Sequence, residues 1–336
     1  MALADRTMLA GSTAVLLLAG ALLAGSGCAS GSGVAWETTF GRDHPLTGRI
    51  WDVSAASFLD RPTLASRLAR GRFVLLGEKH DNPDHHGLQA GLLRSLITVG
   101  RRPAVGFEMF STDDAPAIAR HLATAPTDAA GLAEAVHWDE RGWPDWVLYQ
   151  PIAEAALEAG LPIVATNLSP ATARTLGREG VSALDRAVVV RLDLDRPLPP
   201  DIYAEMAAEI REAHCGYVSG AAIEAMVTVQ RARDAQMAES LVASGSQDGA
   251  VLVAGAGHVR NDRGIPAHLA ARAPGETVIS LAFVEVGDGE TEPPAYARRF
   301  GRDRLPFDYV WFTPRLDDLD PCEKFRKELE RLRKPG

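Results

Sequence analysis

Four acidic and basic side chains follow short apolar runs that are typical of buried strands. Two lie in a Gly-Glu-Lys-His segment, one in a Phe-Glu segment and one in a Gly-Ala-Gly-His segment. Carboxylates and imidazoles can act together as general acids and bases, or can ligate a divalent metal such as zinc, manganese or iron. The sequence therefore predicts a catalytic or metal-binding cluster made of Glu78, His80, Glu108 and His258.

Apolar strands alternate with helices along the part of the sequence that contains this cluster. Strands are predicted at residues 73–77, 104–107, 161–166, 187–192, 250–254, 277–286 and 309–313. Helical spacing is seen at residues 84–99, 115–122, 129–136, 146–159, 201–213, 219–243, 266–273 and 321–332. This alternation predicts a three-layer α/β fold, a mostly parallel sheet with helices on both faces and a helical cap or insertion at 201–243. Ligands of such sheets bind outside the carboxyl ends of the strands, so we expect the cluster to converge there.

Polar residues on two predicted helices can be interpreted as structural residues. Asn82 or Asp84 is expected to cap the helix that follows the first strand. His85 and Gln89 share one face of that helix, four residues apart. On the long helix, residues 230, 234 and 237 also share a face, which is typical of a solvated helix with a methionine in the core.

The first residues indicate export. Residues 8–24 are apolar and uncharged, and small residues then precede Cys28, as in a bacterial lipobox. We predict a signal peptide over 1–27, lipidation of Cys28 and a tether over 28–48, with a transmembrane anchor or simple cleavage as the alternatives. One α/β domain is predicted over 49–315 and a charged tail helix over 316–336. Cys215 and Cys322 can pair in an oxidising compartment, but the sequence leaves their pairing open.

Bulk composition excludes one class of function. The 336 residues are 46% hydrophobic and carry a formal charge of −9, without a dense basic patch. A nucleic-acid-binding surface is therefore not expected.

Several motifs in one order resemble the ChaN family of haem-binding lipoproteins, within the ChaN/erythromycin-esterase/Tiki superfamily. They are L-L-G-E-K-H-D-N-P-D-H-H at 75–86, G-F-E-M-F at 106–110, W-x-x-x-x-W-P-x-W at 138–146, H-C-G at 214–216, Q-R-A-R-D-A-Q-M-A at 230–238 and A-G-A-G-H-V-R-N-D-R-G-I-P at 254–266. The resemblance covers about residues 45–315. It implies an α/β domain of this superfamily, haem binding and a link to iron acquisition. The location expected for the lipid-anchored protein is the cell envelope, in the outer membrane and facing the periplasm.

Haem needs an apolar slot and an axial ligand. The candidates are His85, His86, His214, Tyr217 and Tyr149. The expected partners are haem and, through the lipid, a membrane; a homodimer is one option for the oligomeric state. The alternative function is a metal-dependent hydrolase of the erythromycin-esterase/Tiki type that uses the Glu/His cluster, so the question of enzymatic activity stays open.

Overall fold

Eight strands form one mixed sheet in the computed structural model, which describes residues 35–324 and 326. The strands are β1 (Ile50–Asp52), β2 (Ser57–Leu59), β3 (Phe73–Glu78), β4 (Ala104–Ser111), β5 (Ile163–Asn167), β6 (Ala250–Gly255), β7 (Val278–Glu285) and β8 (Tyr309–Thr313). Their order across the sheet is β2-β1-β8-β7-β3-β6-β4-β5. Neighbours from β8 to β5 run parallel, whereas β1 and β2 add an antiparallel edge.

Helices connect and cover these strands. They are α1 (Arg61–Leu68), α2 (Pro83–Thr98), α3 (Ala115–Thr124), α4 (Ala129–Ala135), α5 (Trp146–Glu158), α6 (Pro170–Glu179), α7 (Arg186–Arg191), α8 (Pro200–Ala213), α9 (Gly220–Ala243), α10 (Ile265–Arg272) and α11 (Pro321–Lys324). Short 3-10 helices lie at Thr112–Asp114, Trp138–Glu140, Val181–Ala183 and Pro293–Phe300. No helix within the described ranges has both the length and the apolar character that crossing a bilayer requires.

The two faces of the sheet carry different helices, as the predicted three-layer α/β fold requires. Leu75 and Leu252 share a buried cluster with Met237 of α9 and Leu269 of α10. On the opposite face, α2 and α5 pack against each other and contact β3 and β5. The continuous apolar runs of the central strands are therefore buried on both sides.

One predicted strand is wrong. Residues 187–191 lie in helix α7 and Leu192 is its C-cap residue, although three consecutive valines favour a strand. Val189 and Leu192 are buried three residues apart, whereas Val190 between them is 48% exposed. This helical spacing lets α7 pack on Leu176 and Ala232, so tertiary packing overrides the local preference for a strand.

Local caps and termini follow simple chemistry. Asn82 caps α2, since its side chain accepts a hydrogen bond from the backbone N–H of Asp84. Asp84 instead accepts hydrogen bonds from residues 37 and 38.

Strands β1 and β2 and helices α1 and α6 were not predicted. The predicted signal peptide, the lipidated Cys28 and most of the tail helix lie outside the described residues.

Candidate functional site

The carboxyl ends of four adjacent strands form one edge of the sheet. Strands β3, β6, β4 and β5 are neighbours in that order and run parallel. Glu78 is the last residue of β3, and His258 follows β6 by three residues. Glu108 lies in β4 where the register to β5 shifts between Phe107 and Ser111. Such an irregularity redirects side chains next to functional sites, and here it lies at the edge where the other strands end.

Carboxylates and imidazoles alternate along this edge in a chain of contacts, which we call the acid–base chain. This acid–base chain links the two helical layers, from α9 on one face of the sheet to α2 on the other. Its members in order are Asp234, His258, Glu108, His80, Glu78 and His86. The structure thus brings together all four residues of the predicted cluster and adds Asp234 and His86.

His258 lies between two carboxylates. Its Nδ1 is 2.5 Å from Oδ1 of Asp234, and its Nε2 is 3.3 Å from Oε1 of Glu108. Burial alone would lower the pKa of His258, but these two anions raise it to about 10. The pKa of Glu108 falls to about 2 despite its burial, because His258, His80 and the Gly255 N–H, 2.7 Å away, stabilise the charged form. Both groups are therefore charged at neutral pH.

Glu78 is the second-to-last member of the acid–base chain and lies between the imidazoles of His80 and His86. Its Oε1 is 2.9 Å from Nδ1 of His80, and its Oε2 is 3.1 Å from Nδ1 of His86. Burial alone would raise the pKa of Glu78, but the neighbouring His86 and His80 hold it well below its usual range. Tyr149 of α5 adds a hydrogen bond from its hydroxyl to Glu78 Oε1, at 3.1 Å. Burial, followed by the charge of Glu78, raises the pKa of this phenol, so Tyr149 stays a donor.

His86 acts as a double donor. Its Nε2 lies 3.0 Å from the His80 carbonyl and its Nδ1 lies 3.2 Å from Oε1 of Gln89. The Gln89 amide is oriented by its own hydrogen bond to the Leu76 carbonyl, so both ring nitrogens of His86 face acceptors. The charge of Glu78 accordingly raises the pKa of His86 against the effect of burial.

Two glycines let the strand ends approach this closely. A Cβ on Gly255 would lie 3.0 Å from Nε2 of His80. A Cβ on Gly77 would lie 2.4 Å from Cγ2 of Val259 and 3.0 Å from Cα of Ala256. The glycines of both sequence motifs are therefore needed for close packing at the site.

The expected metal site is not formed by this arrangement. Both ring nitrogens of His80 and of His258 face carboxylate oxygens. Among the residues that the structure describes, no group of three or more His, Cys, Asp or Glu side chains is arranged to hold a metal ion. The cluster is an ion-pair network as it stands, and the His80 side chain, 34% exposed, is its accessible member.

Three of the five candidate haem ligands are interior residues. His85 is fully buried; its Nδ1 accepts the Lys79 N–H and its Nε2 lies 2.9 Å from Oγ1 of Thr313. Burial, with a further contribution from His86, lowers the pKa of His85 to about 3. His86 is a member of the acid–base chain, and the Tyr149 hydroxyl donates a hydrogen bond to Glu78 of that chain. These three side chains have structural partners at every polar ring atom, which leaves none to face an iron.

His214 lies in a different environment, a groove between α8 and α9. The groove has a volume of about 480 Å³ and is lined by Gly177, Ile210, His214, Ala222, Ala225, Met226, Val229, Gln230 and Arg233. This size is usual for a small-molecule site. Tyr217 follows in the same turn and is half-buried. The turn is fixed by a disulfide between Cys215 and Cys322, whose Cα atoms are 5.8 Å apart.

The fold is a three-layer α/β architecture with a cluster of charged side chains at the carboxyl ends of its parallel strands. The family described as "Haem-binding uptake, Tiki superfamily, ChaN" matches residues 64–269, and the chain belongs to this family.

A solved structure of a ChaN protein shows the same fold. The structure described as "Cofacial heme binding to ChaN of Campylobacter jejuni" is 18% identical, with a TM-score of 0.59, over 78% of this chain and 95% of that one. Erythromycin esterase EreC in its open conformation is 15% identical, with a TM-score of 0.42, over 88% and 87% of the two chains. The type III effector HopBA1 is 14% identical, with a TM-score of 0.38, over 75% and 92%. No curated protein sequence shows significant similarity to this chain.

Proposed function

We propose that this chain is an envelope lipoprotein that binds haem in the groove between α8 and α9 and takes part in haem or iron acquisition. The observation that carries the proposal is the position of His214 on the wall of an apolar groove of suitable size. Membership of the haem-binding family supports it independently.

The groove has the apolar character that a haem face requires. Residues 222, 225, 226 and 229 of α9 are half-buried and recur at helical spacing, so they form one stripe along the helix. Ile210 of α8 lies on the other wall. Burying such a stripe against a flat apolar ligand is favourable by roughly 25 cal/mol per Å² of apolar surface.

The hydrogen bonding of His214 suits an axial ligand. Its Nδ1 lies 2.7 Å from the carbonyl oxygen of Ile210, and a carbonyl can only accept. Nδ1 therefore carries a proton, and in the neutral tautomer that has its proton there the lone pair lies on Nε2. Metal-binding histidines commonly have this second hydrogen bond to a backbone carbonyl. Bound haem would supply the iron that this lone pair ligates.

Titration with haemin tests the proposal. We expect wild-type protein to give a sharp Soret band at one haem per chain, and His214→Ala to change that spectrum and weaken binding. His121→Ala, in α3 and outside the groove, is the matched control and should titrate like the wild type. A broad spectrum of nonspecific adsorption in the wild type, or an unchanged spectrum in His214→Ala, contradicts haem binding through His214.

Export and lipidation belong to the same proposal. The apolar segment before Cys28 supports them, as does the Cys215–Cys322 disulfide, because disulfides persist in oxidising compartments. Metabolic labelling with a fatty acid should mark the wild type and not Cys28→Ala. Equal labelling of the two proteins contradicts lipidation at Cys28. The homodimer stays a prediction, which sedimentation analysis of the haem-free and haem-loaded protein tests.

A hydrolase is the second candidate function, favoured by the acid–base chain. Buried, oppositely charged groups that converge on a half-exposed imidazole are typical of acid–base catalysis. Such an activity should appear as hydrolysis of p-nitrophenyl esters that Glu108→Gln abolishes. Rates equal in wild type and Glu108→Gln argue against it.

A further inference from the structure

Arg233 lies at the end of the apolar stripe on α9. It lines the groove that contains His214 and also a second cavity of about 620 Å³ at the carboxyl edge of the sheet. We call this second space the edge cavity; its wall includes Met109, Trp143, Leu168, Arg174 and Arg233. Arg233 is thus a wall residue of both spaces.

The charge of Arg233 lacks the compensation that other arginines nearby have. Arg141, also in the edge cavity, pairs with Asp114, and Arg191 pairs with Glu239. Within residues 35–324, by contrast, no carboxylate lies at ion-pair distance from Arg233 or Arg174. The hydrogen bond of Arg233 is a long one, 3.4 Å from Nη1 to Oε1 of Gln230. The Arg233 guanidinium is half-buried and has no anionic partner among the described residues, although the protein has a net charge of −9. It is therefore available to bind an anion.

The position of Arg233 along α9 gives its approximate distance from the turn that carries His214. Ala222 lies in the part of the stripe beside the turn that carries His214, and Arg233 comes eleven residues later. At the α-helical rise these positions are roughly 16 Å apart, a distance that the His214 and Arg233 side chains and the half of a tetrapyrrole between its iron and its carboxylates can span together.

We infer that Arg233 binds the carboxylates of the tetrapyrrole, with Arg174 as a weaker second cation. This inference rests on the proposed haem binding and adds the orientation, with the iron toward His214 and the carboxylates toward the edge cavity. Guanidinium and carboxylate form two parallel hydrogen bonds, which fixes direction as well as adding affinity. Asp113 and Glu140 also line the edge cavity, but both are exposed, so water and salt screen their repulsion.

The test compares haemin with its dimethyl ester, which keeps the iron and the ring but has no free carboxylates. Wild-type protein should bind haemin at least tenfold more tightly than the ester, as expected for one lost charge-assisted contact. Arg233→Gln should weaken haemin binding about tenfold and leave ester binding unchanged, whereas Arg233→Lys should restore part of the loss. The Soret position should stay that of the wild type in both variants, because His214 is intact.

Arg120→Gln provides the matched control, because it removes the same charge from α3, outside both cavities. It should bind haemin and the ester like the wild type. Equal affinities of the wild type for haemin and ester overturn the inference while leaving haem binding in place, and this comparison needs no variant to fold. An equal loss for both ligands in Arg233→Gln also overturns it. Failure of haemin to bind the wild type overturns the inference together with the proposed function.

Discussion

At the scale of single residues, the site depends on partners that lie on helices. Asp234 is buried with its carboxylate against His258, although its sequence neighbourhood is typical of a solvated helix face. The residues at strand ends could be predicted, because each follows an apolar run. Asp234, His86 and Tyr149 could not be assigned to the site, since the rotation of a helix about its axis is set by tertiary packing.

Removing the charge of Asp234 should lower the pKa of His258. With two carboxylate partners that pKa is about 10, against 6.5 for an unperturbed imidazole, so the folded state binds its proton more tightly than the unfolded state. The resulting stabilisation is complete below about pH 6.5 and is lost as the pH rises through 10. For the wild type we therefore expect the free energy of unfolding to fall between these pH values, by up to about 1.4 kcal/mol per pH unit.

Asp234→Asn should show a smaller fall over this range. Urea unfolding at several pH values measures the change in free energy, and NMR titration of His258 measures its pKa directly. Glu224→Gln, at an exposed position of the same helix, is the control and should follow the wild type. An identical pH dependence in Asp234→Asn and the wild type argues that Asp234 does not hold the proton on His258.

At the scale of secondary-structure elements, two glycines differ in how tightly the protein packs around them. Gly77 ends the apolar part of β3 under Ala256 and Val259, whereas a Cβ on Gly87 of α2 would have no atom within 4 Å. We expect Gly77→Ala to lower the free energy of unfolding by about 1–3 kcal/mol through overpacking. Gly87→Ala should raise it by about 0.5–1 kcal/mol, since alanine favours a helix. Thermal unfolding of both variants checks the pair; equal effects would show that β3 and the loop after β6 are not packed as described.

Some strands and helices could be predicted from the sequence and others could not, for physical reasons. Central strands such as β3 and β6 could be placed because long apolar runs are buried on both faces. Helix α7 could not, because its burial comes from a satellite cluster with α6 and α9 that no local pattern reveals. Strands β1 and β2 are three residues each, too short for a clear alternation.

At the scale of the whole molecule, the disulfide joins distant parts of the chain. Cys215 lies in the turn after α8 and Cys322 in α11, 107 residues apart in sequence. Closing so long a loop restricts the unfolded chain. We expect the double variant Cys215→Ser/Cys322→Ser to lose about 2–4 kcal/mol of unfolding free energy. The wild type in a dithiol reductant should match that variant, and unchanged stability in both would mean that the bond does not form in solution.

Haem binding in the groove between α8 and α9, with the iron at His214, is the proposal on which the function depends. Its most direct test is the crystal structure of the haemin-loaded protein, with anomalous diffraction at the iron edge to locate the metal. We expect an iron peak at bonding distance from Nε2 of His214, with the carboxylates of the haem toward Arg233. An iron peak beside His80 at the acid–base chain, or against a residue outside the groove, would contradict it.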